Sequence, residues 1–221
     1  VIFCKSLLIC VFAFMVIGVC SGVGIIRGII ASAPTIDDIV ATPTGFLSTV
    51  LDANGNQTAT LVASGSNRRA VTIDEIPKNL QHAFVAIEDE RFYEHNGIDV
   101  TGIIRAGVKG VASGFHFSEG ASTITQQLLK NTSWTSESSM ADKFERKFQE
   151  QYLALQLEKV VDKDWILENY LNAINLGQNT LGVGVASERY FGKDVSDLTL
   201  SECAVLAAIT QNPSKYNPIT N

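Results

Sequence analysis

Two glutamates are the residues of this sequence best suited to acid/base chemistry. Glu88 closes the apolar run of "FVAIEDERFYEHNGID" (residues 84–99), where Asp89 and Glu90 follow at once and His95 and Gly97 come shortly after. Glu150 falls in the middle of a helical apolar stripe, one turn after Arg146. A carboxylate on such a stripe loses solvation and needs a partner. Each feature also has a plain structural reading. Acidic residues at a helix end mark a solvated boundary, and a lone histidine is more often a satisfied polar residue than a catalyst. Arg146 and Glu150 at i, i+4 form an ordinary ion pair, worth roughly 0.2–0.5 kcal/mol when exposed. Considered together, two carboxylates from different elements are the minimum set for acid/base work at a sugar linkage.

A third stretch, "GASTITQQLLKN", places Ser122, Thr123, Thr125, Gln126 and Gln127 around Ile124 at a helix start. Free N–H groups at helix starts attract anions. Hydroxyls, amides and Lys130 together suit a polyhydroxylated or phosphorylated ligand, and they suit equally a helix cap with a polar solvent face.

The elements that must position these residues are mostly helical. "FLSTVLDANGNQTATLV" alternates around Asn54-Gly55 and predicts a hairpin. A helix is expected from Thr72, with Thr72 and Glu75 as a capping box and Pro77 in its first turn, burying Leu80, Ala83, Phe84 and Ile87. A second amphipathic helix covers "DVTGIIRAGVKGVASG", a third begins at about Ser122, and a long one spans roughly Asp142 to Val161. On the long helix, Phe144, Phe148, Tyr152 and Leu155 share one side, while Leu153, Ala154, Leu157 and Val161 flank Glu150 on the other. Further helices are expected in "DKDWILENYLNAINLG", "VASERYFGK" and "LTLSECAVLAAITQNP", the last with Thr199 and Glu202 as a capping box.

Composition narrows the function. A net charge of -6 argues against nucleic acid, which needs a basic surface. Cys4, Cys10 and Cys20 lie in one apolar segment and Cys203 far away, so no disulfide framework or CxxC site is read. His82, His95 and His116 lack metal-ligand spacing, and no metal site is assigned. Residues 6–26 carry no charge, and a helix needs about 20 such residues to cross a bilayer. A membrane anchor is the expectation, with a signal peptide cleaved near Ala31 or Ala33 as the rival. Lys5 and Arg27 on opposite flanks leave its orientation open. The expected organisation is an anchor over 1–26, a stalk and hairpin over 27–71, and a helical domain over 72–221.

In order along the chain, "EDERFYEHNGID", "GASTITQQLLKN", "RKFQEQYLALQLE", "ILENYLNAINLGQNTLGVGVASERYFGK" and "LTLSECAVLAAITQNPSKYNP" match five motifs. By them the chain resembles glycosyltransferase family 51, the peptidoglycan transglycosylase domain of class A penicillin-binding proteins. The resemblance implies a mainly α, lysozyme-like fold on the outer face of the cell membrane, held by a single transmembrane helix. It implies lipid II as substrate, a growing β-1,4 glycan strand as product, and cell-wall synthesis proteins as partners. By motif, Glu88 would be the general base at the acceptor hydroxyl, with Glu150 acting at the donor side. Ser122, Gln126, Lys130 and Arg146 would contact donor sugar and pyrophosphate, and Asp89, His95, Thr123, Gln127 and Lys147 complete the expected substrate-binding set. No cofactor is implied as a requirement, though the family often uses a divalent cation, Mg or Mn.

The chain departs from the pattern between Asn131 and Arg146, where the loop is longer and lacks an early basic residue, Lys143 being the one available. It contains no S-x-x-K, and no S-x-N followed by K-T-G, so no transpeptidase half. With its hairpin like that of bifunctional members, a fragment of one is expected. The rivals are a glycan hydrolase on the same scaffold and a tethered module that binds precursor without turnover.

Overall fold

The computed structural model describes residues 2–36, 42–63, 65–114, 120–133 and 139–219. His116 and part of the loop between Asn131 and Arg146 lie outside the described residues. The chain begins with α1 (Ile2–Ala31), followed by strands β1 (Ser48–Leu51) and β2 (Gln57–Leu61). Then come α2 (Lys78–Glu88), α3 (Val100–Ala112), α4 (Ile124–Ser133), α5 (Met140–Leu157), α6 (Lys163–Ala173), α7 (Val183–Phe191) and α8 (Leu200–Ile209).

α1 is long and apolar enough to cross a membrane, from Lys5 to Ala31. It continues past the charge-free run because Arg27 leaves the backbone ladder intact, so residues 27–31, expected in a stalk, are helical. Its C-terminal end meets α5. Gln149 Nε2 donates to Ser32 Oγ at 3.2 Å, and Ser32 Oγ lies 3.0 Å from Glu145 Oε1.

The hairpin forms around Asn54-Gly55 as expected, with Ser48 opposite Leu61 and Thr49 opposite Thr60. Asp52 Oδ1 accepts from the N–H groups of Asn54 and Asn56, both at 2.8 Å, and Gly55 supplies the positive φ that the turn requires.

α2 starts at Lys78 rather than at Thr72. Thr72 and Glu75 do bond, but they close a separate turn, with Thr72 N and Oγ1 both on Glu75 Oε2. Pro77 has no N–H and an extended ψ of 139°, which ends that turn and opens the helix proper. Leu80 and Phe84 are fully buried, whereas Ile87 is 39% exposed because α2 reaches the edge of a cleft there.

The core gathers around α6. Ile166, Leu167, Tyr170 and Leu171 are wholly buried and pack with Leu128 and Leu129 of α4, Leu153 of α5 and Leu206 of α8. α6 also satisfies a strand-like segment without a partner strand. The Asn172 amide bonds both backbone groups of Val71 at 3.0 and 2.8 Å, and Glu168 Oε2 accepts from Ile73 N at 2.6 Å. On α5 the stripe around Glu150 is the buried one, and Phe144 on the opposite side is 58% exposed. α3 buries little beyond Gly102 and Gly110, leaving Ile104, Val108 and Val111 exposed.

The turn between α2 and α3 packs backbone to backbone on α5. Gly97 holds φ +96°, and a Cβ there would meet the carbonyl carbon and oxygen of Ala154 at 2.6 Å. Its own carbonyl accepts Thr123 Oγ1 at 2.8 Å. Gly97→Ala is therefore expected to cost about 2–3 kcal/mol, combining strain at positive φ with a backbone clash. Thermal unfolding in detergent checks this, and an unchanged midpoint would contradict the packing.

Candidate active site

Glu88 ends α2 because the next residue is held elsewhere. The Asp89 carboxylate turns inward, accepting from Ile124 N at 3.0 Å and from His95 Nε2 at 2.9 Å. The Gly97 N–H donates to His95 Nδ1 at 3.2 Å, so Nε2 is the protonated nitrogen of that ring. The two side chains are only 3% and 7% exposed. Thr123 is buried too, with its hydroxyl on Gly97 O. Asp89, His95 and Thr123, expected to bind substrate, bond the protein's own groups, and Asp89 and Thr123 also line a smaller cavity beside Glu88. Ile124 N–H, at the start of α4, lacks an intrahelical partner and takes the Asp89 carboxylate.

Asp89 thereby fixes Glu88 at the rim of a cleft of about 670 Å3. Of the expected site residues, the cleft collects Glu88, Ser122, Gln126, Gln127, Lys130, Arg146, Lys147 and Glu150. It also takes in Ile87, Arg105, Lys109, Asn131 and Gln211, which the motif reading did not name. Arg105 and Lys109 lie at i, i+4 on α3, a repeat visible in the sequence that the apolar pattern of that helix overshadowed. Arg105 also bonds Glu90 and holds its carboxyl below the usual range.

Glu88 is held at both oxygens. Gln127 Nε2 donates to Oε2 at 2.9 Å, and Thr210 Oγ1 bonds Oε1. The Tyr170 hydroxyl lies 3.4 Å from Gln127 Oε1, while the amide nitrogen faces the Glu88 carboxylate, which can only accept when ionised. Burial pushes the Tyr170 phenol well above its usual range, and the charges of Glu88 and Asp89 add to this, so it stays a neutral donor.

On the far side, Glu150 is 1% exposed and bonded to Arg146, with Lys147 Nζ 3.3 Å from its other oxygen. Lys147 Nζ also donates to Ser122 Oγ at 2.7 Å, linking α5 to the start of α4. Burial, then the charges of Arg146 and Lys130, hold the Lys147 ammonium below the ordinary lysine range. Buried Gln126 Oε1 has no hydrogen-bond partner among the described residues, which leaves an acceptor for a ligand at the cleft wall.

Among the described residues, the side chains do not assemble a site for a resident divalent cation. Both cleft carboxylates are engaged by protein donors, and no cluster of three His, Cys, Asp or Glu that could hold a metal occurs among the described residues. No step below is routed through a metal.

A mainly helical domain with a fixed carboxylate facing a cluster of cations is built for transfer chemistry on an anionic substrate. The chain belongs to the transglycosylase family, whose model matches residues 54–221, beginning inside the hairpin. It is 46% identical over 198 residues to penicillin-binding protein 1A of Clostridium perfringens, covering 88% of this chain and 28% of that protein. It is 46% identical over 172 residues to penicillin-binding protein 1F of Bacillus subtilis, covering 78% and 23%. With penicillin-binding protein 1A of Escherichia coli it shares 41% identity over 211 residues, covering 93% and 24%. The chain thus spans about a quarter of the length of these relatives.

Removing the Asp89 carboxylate would leave Ile124 N–H and His95 Nε2–H without acceptors in a buried site. Asp89→Ala is expected to lose about 2–4 kcal/mol of stability. Denaturant unfolding of the solubilised protein measures it, and a loss below about 0.5 kcal/mol would show the carboxylate to be dispensable.

Proposed function

We propose that this chain carries a peptidoglycan glycosyltransferase that polymerises lipid II into β-1,4 glycan and releases undecaprenyl pyrophosphate. The observation that carries the reading is the Glu88 carboxylate, held at both oxygens in a cleft that Lys130, Arg146 and Lys147 also line. Glu88 takes the proton of the acceptor's 4-hydroxyl. The acceptor oxygen attacks C1 of the donor as the C1–O bond to pyrophosphate breaks, turning an α linkage into a β linkage in one displacement.

Pyrophosphate is a good leaving group, so fixed positive charge matters more than a strong general acid. Lys130, Arg146 and Lys147 supply that charge, and Glu150 holds the latter two in place. Ser122 and Gln126 contact the donor sugar. α1 anchors the domain in the cell membrane with its cleft on the extracytoplasmic side, beside the lipid-linked substrate. The exposed apolar residues of α3, on the helix that also carries Arg105 and Lys109, support close apposition to lipid. The growing strand and other cell-wall synthesis proteins are the proposed partners. A hydrolase acting on neutral glycan would need neither the cations nor the anchor.

Detergent-solubilised protein given lipid II is expected to make long strands on a gel that resolves glycan length. Folded Glu88→Gln should lose at least about 100-fold in rate. Normal turnover by that variant would sink the assignment of the base, and shortening of added glycan would identify the hydrolase instead.

Lys147 yields a second expectation. Its depressed pKa means that it loses its charge below the ordinary lysine range, so kcat/KM should fall on the alkaline side as pH rises through that value. Lys147→Arg keeps the charge and should carry the alkaline limb to higher pH. A limb that stays in place would assign the titration to another group.

A further inference from the structure

We propose that Thr210 is a positioning residue for the base, changing from hydrogen-bond donor to acceptor as Glu88 takes up the proton. This deepens the reading of Glu88 given above and rests on it. Thr210 caps the C-terminal end of α8. Its Oγ1 bonds Glu88 Oε1 and also lies 2.8 Å from Ala207 O. A hydroxyl has one proton, so it can serve only one of these two acceptors at a time.

The partners of Glu88 are not equivalent. The Gln127 nitrogen on Oε2 can only donate, and the amide oxygen of Gln127 faces the Tyr170 hydroxyl. Thr210 can donate or accept. While Glu88 is ionised, the Thr210 hydroxyl donates to Oε1. During transfer the acceptor O–H bond breaks, the new O–C1 bond forms, the C1–O bond to pyrophosphate breaks, and the proton moves to Glu88. The neutral carboxyl faces a fixed donor at Oε2, so its proton resides at Oε1. There Thr210 Oγ1 accepts it while the hydroxyl's own proton turns to Ala207 O. Both charge states keep their partners without movement of a heavy atom, and the proton passes to water before the next cycle. A valine at this position would fill the same space and do neither.

The test measures kcat, KM and thermal midpoint on the full solubilised chain with lipid II. Wild type, Glu88→Gln, Thr210→Val, Thr210→Ala and Thr210→Ser are compared. The two variants without a hydroxyl should lose roughly tenfold in kcat, the effect of one hydrogen bond to a charged group, with KM nearly unchanged. Thr210→Ser should recover most of that loss. A folded Thr210→Val or Thr210→Ala with wild-type kcat would overturn the proposal, as would a Thr210→Ser variant as slow as Thr210→Val. In either case the contrast between wild type and Glu88→Gln still stands and the base reading survives. Normal polymerisation by Glu88→Gln would instead remove the base reading, and the role of Thr210 with it. Should Thr210→Val fail to fold, the comparison of Thr210→Ala with Thr210→Ser decides.

Discussion

The Asp89 carboxylate is the point on which the site geometry turns. A buried carboxylate is costly unless its lone pairs are occupied, and here Ile124 N–H and His95 Nε2–H occupy them. The donors come from two directions, one from the start of α4 and one from the turn after α2. Satisfying the charge therefore sets the end of α2 against the beginning of α4. Glu88 precedes Asp89 by one residue, and the Ser122–Gln127 stretch straddles Ile124, so one interaction sets both walls of the cleft. Gly97 completes the arrangement, since only a residue without Cβ lets this turn lie on the α5 backbone.

The cleft reverses the charge of the molecule that contains it. The chain is acidic overall, with a net charge of -6, but among the described residues Arg105, Lys109, Lys130, Arg146 and Lys147 line one cavity with Glu88 and Glu150 as its carboxylates. Holding several like charges together in a half-buried space has an electrostatic cost, and burial, with the charges of Arg146 and Lys130 added, holds the Lys147 ammonium below the ordinary lysine range. Glu150 reduces that cost from within by pairing Arg146 and bordering Lys147. What remains is positive and open to the cleft, a preorganised field for negative charge.

Much of this was legible in the sequence, and what was missed has a common physical origin. The Asn54-Gly55 turn, the capping box of Thr199 with Glu202, and the pairing of Arg146 with Glu150 depend on neighbours along the chain, and each formed. The Thr72–Glu75 box also formed, but Pro77 made it a separate turn because it removes the N–H that would continue the helix. The contacts around the site that the sequence does not announce are long-range. Thr210 reaches Glu88 from the far end of the chain, and no local spacing announces it. Asp89 and His95 stand beside Glu88 in sequence, yet a backbone N–H of α4 decides which way the carboxylate points. Motif membership identified the neighbourhood, while the division between groups that face the cleft and groups that brace it required the fold.

α5 joins the two halves of the molecule through helix periodicity. Residues four apart share a row, so Glu145 and Gln149 form one row and Arg146 and Glu150 the next, about 100° around the axis. The first row takes the end of α1, with Gln149 donating to Ser32 Oγ and to Ile29 O. The second lines the cleft. The two rows stand on one set of backbone hydrogen bonds, so α5 cannot rotate to loosen one without displacing the other. The charged wall of the cleft is thereby held in a defined relation to the end of the long apolar helix.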